Sequence, residues 1–239
     1  MNAIFKRDFK AYFTSPIGYV YIGAYILVLN FVFYLMNVLN STSSVAQIFS
    51  WMLTIMMFVT PILTMRVFSE DYKQKTDQLL CTAPVSTASI VMGKFYASIT
   101  VFLILLGLTL AWPIIISIFG QVNLDEVVGN YIGIFFIGIA YISMGIFISA
   151  LTENQVVAAV SSLGLFIALM FIDWFAMAFF ATGVLPTFIM QAFLFISIFG
   201  RYTDITRGLL SLDTVVFFVS VTAVFLFLTM RALERRRQG

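Results

Sequence analysis

The chain has 239 residues, 62% hydrophobic and only 10% charged, with a net charge of +2 and a mean hydropathy of +1.04. A soluble domain carries about a quarter charged residues, so most of this surface faces lipid, and the length leaves little room for a second, soluble domain. There is no histidine and a single cysteine, Cys81, which excludes an imidazole metal site, a histidine-based nucleophile pair and an internal disulfide.

Residues 1–16 carry Lys6, Arg7 and Lys10 ahead of a first apolar run at 17–39. That run exceeds a signal-peptide h-region of about 7–15 residues and reads as an uncleaved first span. A helix crosses the hydrocarbon core with about 20 apolar residues. On that measure the predicted spans are 17–39, 46–66, 95–119, 130–151, 155–175 and 214–233. Pro61 and Pro113 fall near the ends of the second and third, where a missing amide proton is tolerated.

Between the second and third spans lies a dense polar island, Arg66 to Pro84. Its pattern predicts a helix from Arg66 to Leu80. Asp71 and Lys75 are four apart with the acid first, the favourable order, and Lys73 and Asp77 are also four apart. Tyr72, Thr76, Leu79 and Leu80 form an apolar face. Pro84 ends this helix, and Ser86 or Thr87 can cap the next, which leads through Gly93 and Lys94 into the third span. An ordinary solvated loop with self-paired charges reads equally well from composition alone.

After the third span, the 120–130 loop holds only Asp125 and Glu126, and the turn Thr152-Glu153-Asn154-Gln155 has no basic residue. A further apolar stretch, Phe188 to Phe199, is too short to cross comfortably. With Gly183 to Pro186 as a turn, it predicts a non-crossing hairpin over 175–199 at the outer leaflet. The rival is one long fifth helix followed by an interfacial segment. Arg201, Asp204, Arg207 and Asp213 follow as a mixed-charge segment, read either as a solvated connector or as a contact for an extracytoplasmic partner. Arg231, Arg235, Arg236 and Arg237 end the chain and are expected to reach anionic lipid, at about 1 kcal/mol each.

Eleven of the thirteen Lys and Arg lie in the N-terminal segment, the 66–94 loop and the C-terminal cluster. Positive residues resist translocation, so both termini and the island are expected on the cytoplasmic side. Small residues recur at helix-packing spacing as Gly145/Ser149, Ala158/Ser162 and Gly164/Ala168, which suits packing within one subunit or a dimer seam.

Taken together, Glu70, Thr76, Leu79-Leu80, Pro84-Val85-Ser86 and Gly93-Lys94 resemble the cytoplasmic loop of type-2 ABC transporter permeases. Phe9-Lys10-Ala11-Tyr12-Phe13-Thr14-Ser15-Pro16-Ile17-Gly18-Tyr19-Val20 looks like the Phe-x-Ser-Pro-x-x-Tyr opening of the gliding-motility-type and nitrous-oxide-reductase-maturation-type permeases. Tyr202 to Asp213 is similar to the Arg-Gly stretch before the last span of the gliding type. The resemblance covers essentially the whole chain as a single transmembrane domain.

It implies an all-α membrane protein of six spans with an N-terminal interfacial helix (1–16), a coupling region (66–94) and an outer hairpin (175–199). The coupling helix would dock on a separate ATPase through Glu70, Asp71, Lys73, Thr76, Asp77, Leu79, Leu80 and Pro84. ATP and Mg²⁺ would be bound by that ATPase, with no cofactor on this chain. Gly93-Lys94 lacks the glycine five residues earlier that a phosphate-binding loop requires. Further partners implied are a second permease copy, as a homodimer, and a companion subunit with an external domain meeting Arg201, Asp204 and Arg207. No nucleic-acid role is expected.

The function read from this is an ATP-driven exporter subunit in the cell membrane. The alternatives are a mechanical scaffold acting on an external partner, or an ATP-independent channel with Asn30 and Asn37 facing a pore. A membrane enzyme needs convergent ionisable groups at depth, and Asp173 beside Trp174 stands alone. The substrate is not legible.

Overall fold

The computed structural model describes residues 1–39, 45–76, 85–119, 123–182, 197–198, 200–202 and 212–238. Among them there are only helices and turns. Helix α1 spans Asn2–Thr14, α2 Ile17–Phe33 with a π-turn at Tyr34–Val38, and α3 Val45–Thr64. A short α4, Ser69–Lys73, precedes α5, Thr87–Thr109, and α6, Ala111–Phe119. The longer α7, Leu124–Leu151, α8, Gln155–Thr182, and α9, Leu212–Gln238, complete the order.

Six stretches are long and apolar enough to cross a membrane, beginning at Ile17, Gln47, Thr87, Leu124, Gln155 and Leu212. They agree with the six spans read from hydropathy, with ends differing by up to eight residues where polar turns remain helical. Helix α7 is the central one. It packs on α3, α5, α8 and α9, while α2 lies against α3 and α1 against α5. Outward-facing Leu27, Phe31, Ile118 and Val160 are exposed apolar side chains, as a lipid-facing surface requires.

Local sequence explains the breaks. Ser15 is extended (φ −95°, ψ 160°) before Pro16, which disfavours helical geometry in the preceding residue, so α1 turns sharply into α2. The third span is two helices, not one. Pro113 has no N–H to offer the Thr109 carbonyl, and α5 stops at Thr109. Ser86 caps α5, its Oγ accepting from the Ser89 amide at 3.3 Å.

Small residues set the close contacts of α7. A Cβ at Gly138 would run into the Phe102 ring, and one at Gly145 into Thr64. The Gly145/Ser149 pair therefore packs within the subunit, and Ala158 and Ser162 are also buried. Gly164 and Ala168 are different: both are exposed on α8, with nothing within 4 Å of a Cβ at Gly164.

Residues 175–182 continue α8 without interruption, so the first arm of the expected hairpin is the end of the fifth helix and not a separate helix. Its turn, Gly183 to Pro186, and most of its second arm lie outside the described residues. Asn30 accepts a hydrogen bond from Trp112 Nε1 at 3.0 Å, joining α2 to α6, and Asn37 is buried.

Candidate functional site at the charged end of the bundle

One end of the bundle gathers α1, the polar island, the 152–154 turn and the C-terminal arginines. Its centre is Lys94, at the start of the third span, whose side chain is 3% exposed. Such a cation is stable only if its charge and its donors are met. The ammonium lies 2.6 Å from Asp71 and 3.1 Å from Asp8, donates to the Val67 carbonyl at 2.6 Å, and sits 5.0 Å from the Phe68 ring centre. Arg7 adds a further contact to Asp71 at 3.4 Å and to Asp8 at 2.7 Å. Burial works against the Arg7 charge, but the neighbouring Asp8 and Asp71 outweigh it and hold its pKa above the ordinary value.

The island itself is a short rigid body. Helix α4 ends in a Schellman motif: the Thr76 amide donates to the Asp71 carbonyl at 2.9 Å and the Lys75 amide to Tyr72 at 3.1 Å. Lys75 occupies the left-handed position (φ 57°) where glycine is usual. A continuous helix from Arg66 to Leu80 is therefore not formed. The expected Asp71–Lys75 pair gives way to the buried Lys94 contact, and Thr76 Oγ1 donates to Asp71 Oδ1 at 2.9 Å.

The hinge between α3 and α4 is held from α7. Ser149, fully buried, donates to the Met65 carbonyl at 3.0 Å and accepts from the Phe68 and Ser69 amides at 3.1 and 3.2 Å. One hydroxyl thus satisfies three backbone groups left over where the helix unwinds.

Helix α1 is tied to α5 along a parallel register. Asp8 meets Lys94, and one turn later the Tyr12 hydroxyl lies 2.9 Å from Ser98 Oγ and 3.1 Å from the Leu63 carbonyl. Burial pushes the Tyr12 pKa well up, so this hydroxyl keeps its proton. On the other flank, the Arg236 guanidinium stacks 4.1 Å over the Tyr72 ring and reaches Glu153 at 3.4 Å. Arg237 reaches the Val85 carbonyl at 3.4 Å, and Thr87 pairs with Glu234 at 3.3 Å. These two arginines make protein contacts and remain exposed as well. The 152–154 turn, which carries no cation of its own, shares this end of the bundle.

Of the residues expected to meet an ATPase, Glu70 is paired with Arg66 and Gln74. Asp71 and Thr76 turn inward and Lys73 is exposed. Asp77, Leu79, Leu80 and Pro84 lie outside the described residues, as do Asp204 and Arg207. Arg201 stacks 4.2 Å from the Phe217 ring. Arg7, Tyr12, Arg66, Gln74 and Thr76 help to line a cleft of about 240 Å³ over the ion-pair cluster. Sequence reading missed Asp8 and the roles of Tyr12, Ser149 and Lys94. The available signal was a lone lysine opening an apolar span directly after a glycine.

No curated protein matches the chain significantly. The sequence model of the family described as ABC-2 family transporter protein matches residues 3–237, nearly the full length. Six apolar helices and this family-wide match lead to one conclusion: the chain is a multi-pass membrane protein belonging to the ABC-2 transporter family.

Proposed function

We propose that the chain is the permease subunit of an ATP-driven ABC export complex, of the gliding-motility or nitrous-oxide-reductase-maturation type. ATP and Mg²⁺ are bound by a separate ATPase. Two copies of the permease form the pathway, both termini are cytoplasmic, and the cargo moves outward. The single observation that carries this reading is the construction of the island. A Schellman-capped helix is fastened to the third span by Asp71–Lys94 and to α7 by Ser149, while Lys73, Gln74 and Lys75 remain exposed. A body that is rigid toward the spans and open toward solvent can pass on a push. In this reading Lys73 and its neighbours meet the ATPase, and Asp71 and Thr76 hold the shape behind them. An interfacial role for α1 fits its contiguous row of Phe5, Phe9 and Phe13 beside exposed Lys6 and Lys10.

The test is co-expression with an ABC ATPase drawn from the same genome. The expected result is recovery of both subunits together, with ATP hydrolysis in proteoliposomes. Lys73→Glu with Lys75→Glu is expected to reduce that recovery about tenfold, because rim charges govern association. Failure of the wild-type chain to recover an ATPase would overturn the proposal.

A further inference from the structure

We propose that Lys94 is the joint through which motion of the island reaches α1 and the first span as well as the third; this rests on the permease reading above. Three elements converge on one ammonium: α4 through Asp71, α1 through Asp8, and the hinge turn through the Val67 carbonyl. A pairwise salt bridge would tie the island to the third span alone. The second carboxylate makes the arrangement three-way.

The preceding glycine is part of the same joint. A Cβ at Gly93 would lie 3.1 Å from Ile4 Cγ2 and 3.4 Å from the Met1 carbonyl, so α1 rests directly on the backbone of α5. Tyr12–Ser98 forms a second rung one turn beyond Asp8–Lys94, so α1 and α5 are joined at two successive turns. Helix α1 then runs into α2 through the Ser15-Pro16 corner, where a Cβ at Gly18 would meet the Tyr12 carbonyl at 2.6 Å. That corner has no slack. A displacement of α4 that carries Lys94 must therefore carry α1 with it, and α1 turns the base of the first span. Lys94 is a positioning residue: it touches neither cargo nor nucleotide.

The test measures α1 directly. In a Cys81→Ala background, spin labels are placed at Lys6→Cys on the exposed side of α1 and at Val156→Cys on α8. Their distance is measured in the permease–ATPase complex with and without a non-hydrolysable ATP analogue. Wild type is expected to change its distance on nucleotide binding. Asp8→Asn keeps the Asp71–Lys94 pair and cuts the arm from Lys94 to α1, leaving the longer Arg7–Asp71 contact and the Tyr12–Ser98 rung. It is expected to retain the ATPase and its ATP hydrolysis while losing most of the α1 response. Lys94→Met is expected to lose the response too, and Lys94→Arg to keep it. An unchanged response in Asp8→Asn and Lys94→Met, with the ATPase bound, would overturn the joint and leave the permease reading standing. Loss of the ATPase from the wild-type chain would instead bring down the permease reading itself.

Discussion

Replacing Ser149 with alanine removes one oxygen that three backbone groups share and strands two of them. The Phe68 and Ser69 amides lose their acceptor, and both residues are almost fully buried. The Met65 carbonyl loses one of its two hydroxyl donors but keeps Ser69. A buried donor left without a partner costs about 1–3 kcal/mol. Two such donors, partly relieved by relaxation of the turn, give a loss of about 2–4 kcal/mol. Ser143 provides an internal control on the same helix. It is equally buried, but its hydroxyl serves only the Ala140 carbonyl of its own helix, at 2.7 Å. That carbonyl stays in the helical ladder, so Ser143→Ala is expected to cost under about 1 kcal/mol. With about 2–4 °C per kcal/mol for a chain of this size, Ser149→Ala should melt about 5–15 °C lower and Ser143→Ala within about 4 °C of wild type. The assay is the folded fraction surviving a heating series in detergent, followed by gel filtration. If the two variants melt alike, the hinge is not held by Ser149 and the account of the island as a fastened body fails.

Lys75 sits at φ 57°, a conformation that costs a side chain about 1–2 kcal/mol and glycine little. The expected order of melting temperatures is Lys75→Gly above wild type above Lys75→Val, and any other order refutes the Schellman assignment. Gly138→Leu drives a side chain into Phe102 and is expected to destabilise by at least about 1–3 kcal/mol. Gly164→Leu meets open space and should stay within about 0.5 kcal/mol. Equal thermal losses for the two would contradict the packing of α7.

The spans were legible because hydropathy is a property of each segment alone, independent of what it packs against. Ser86 as a cap and the packing of Gly145 with Ser149 were legible for the same reason: both are local patterns. The partners of Asp71 were not. A local rule offers Lys75 at a gain of about 0.2–0.5 kcal/mol, which a buried cation brought in by tertiary packing readily overrides. Arg7 meets Asp71 across 64 residues of chain, and Tyr12 meets Ser98, one turn beyond the Asp8–Lys94 pair, across 86. The inward turn of Arg236 needed Tyr72 as a platform, and a terminal run of arginines read alone suggests only lipid. The division of the third span could have been read from Pro113, by counting back four residues to Thr109.

The turn at residues 65–68 separates two rigid helices whose rotational phases are fixed independently, α3 by the bundle and α4 by Lys94. Each residue of a helix advances the phase by about 100°. Deleting or inserting a single residue there would swing Asp71 away from Lys94 and present a different face of the island to solvent, with every side chain still present. The length of this linker is therefore as much a part of the machine as its composition.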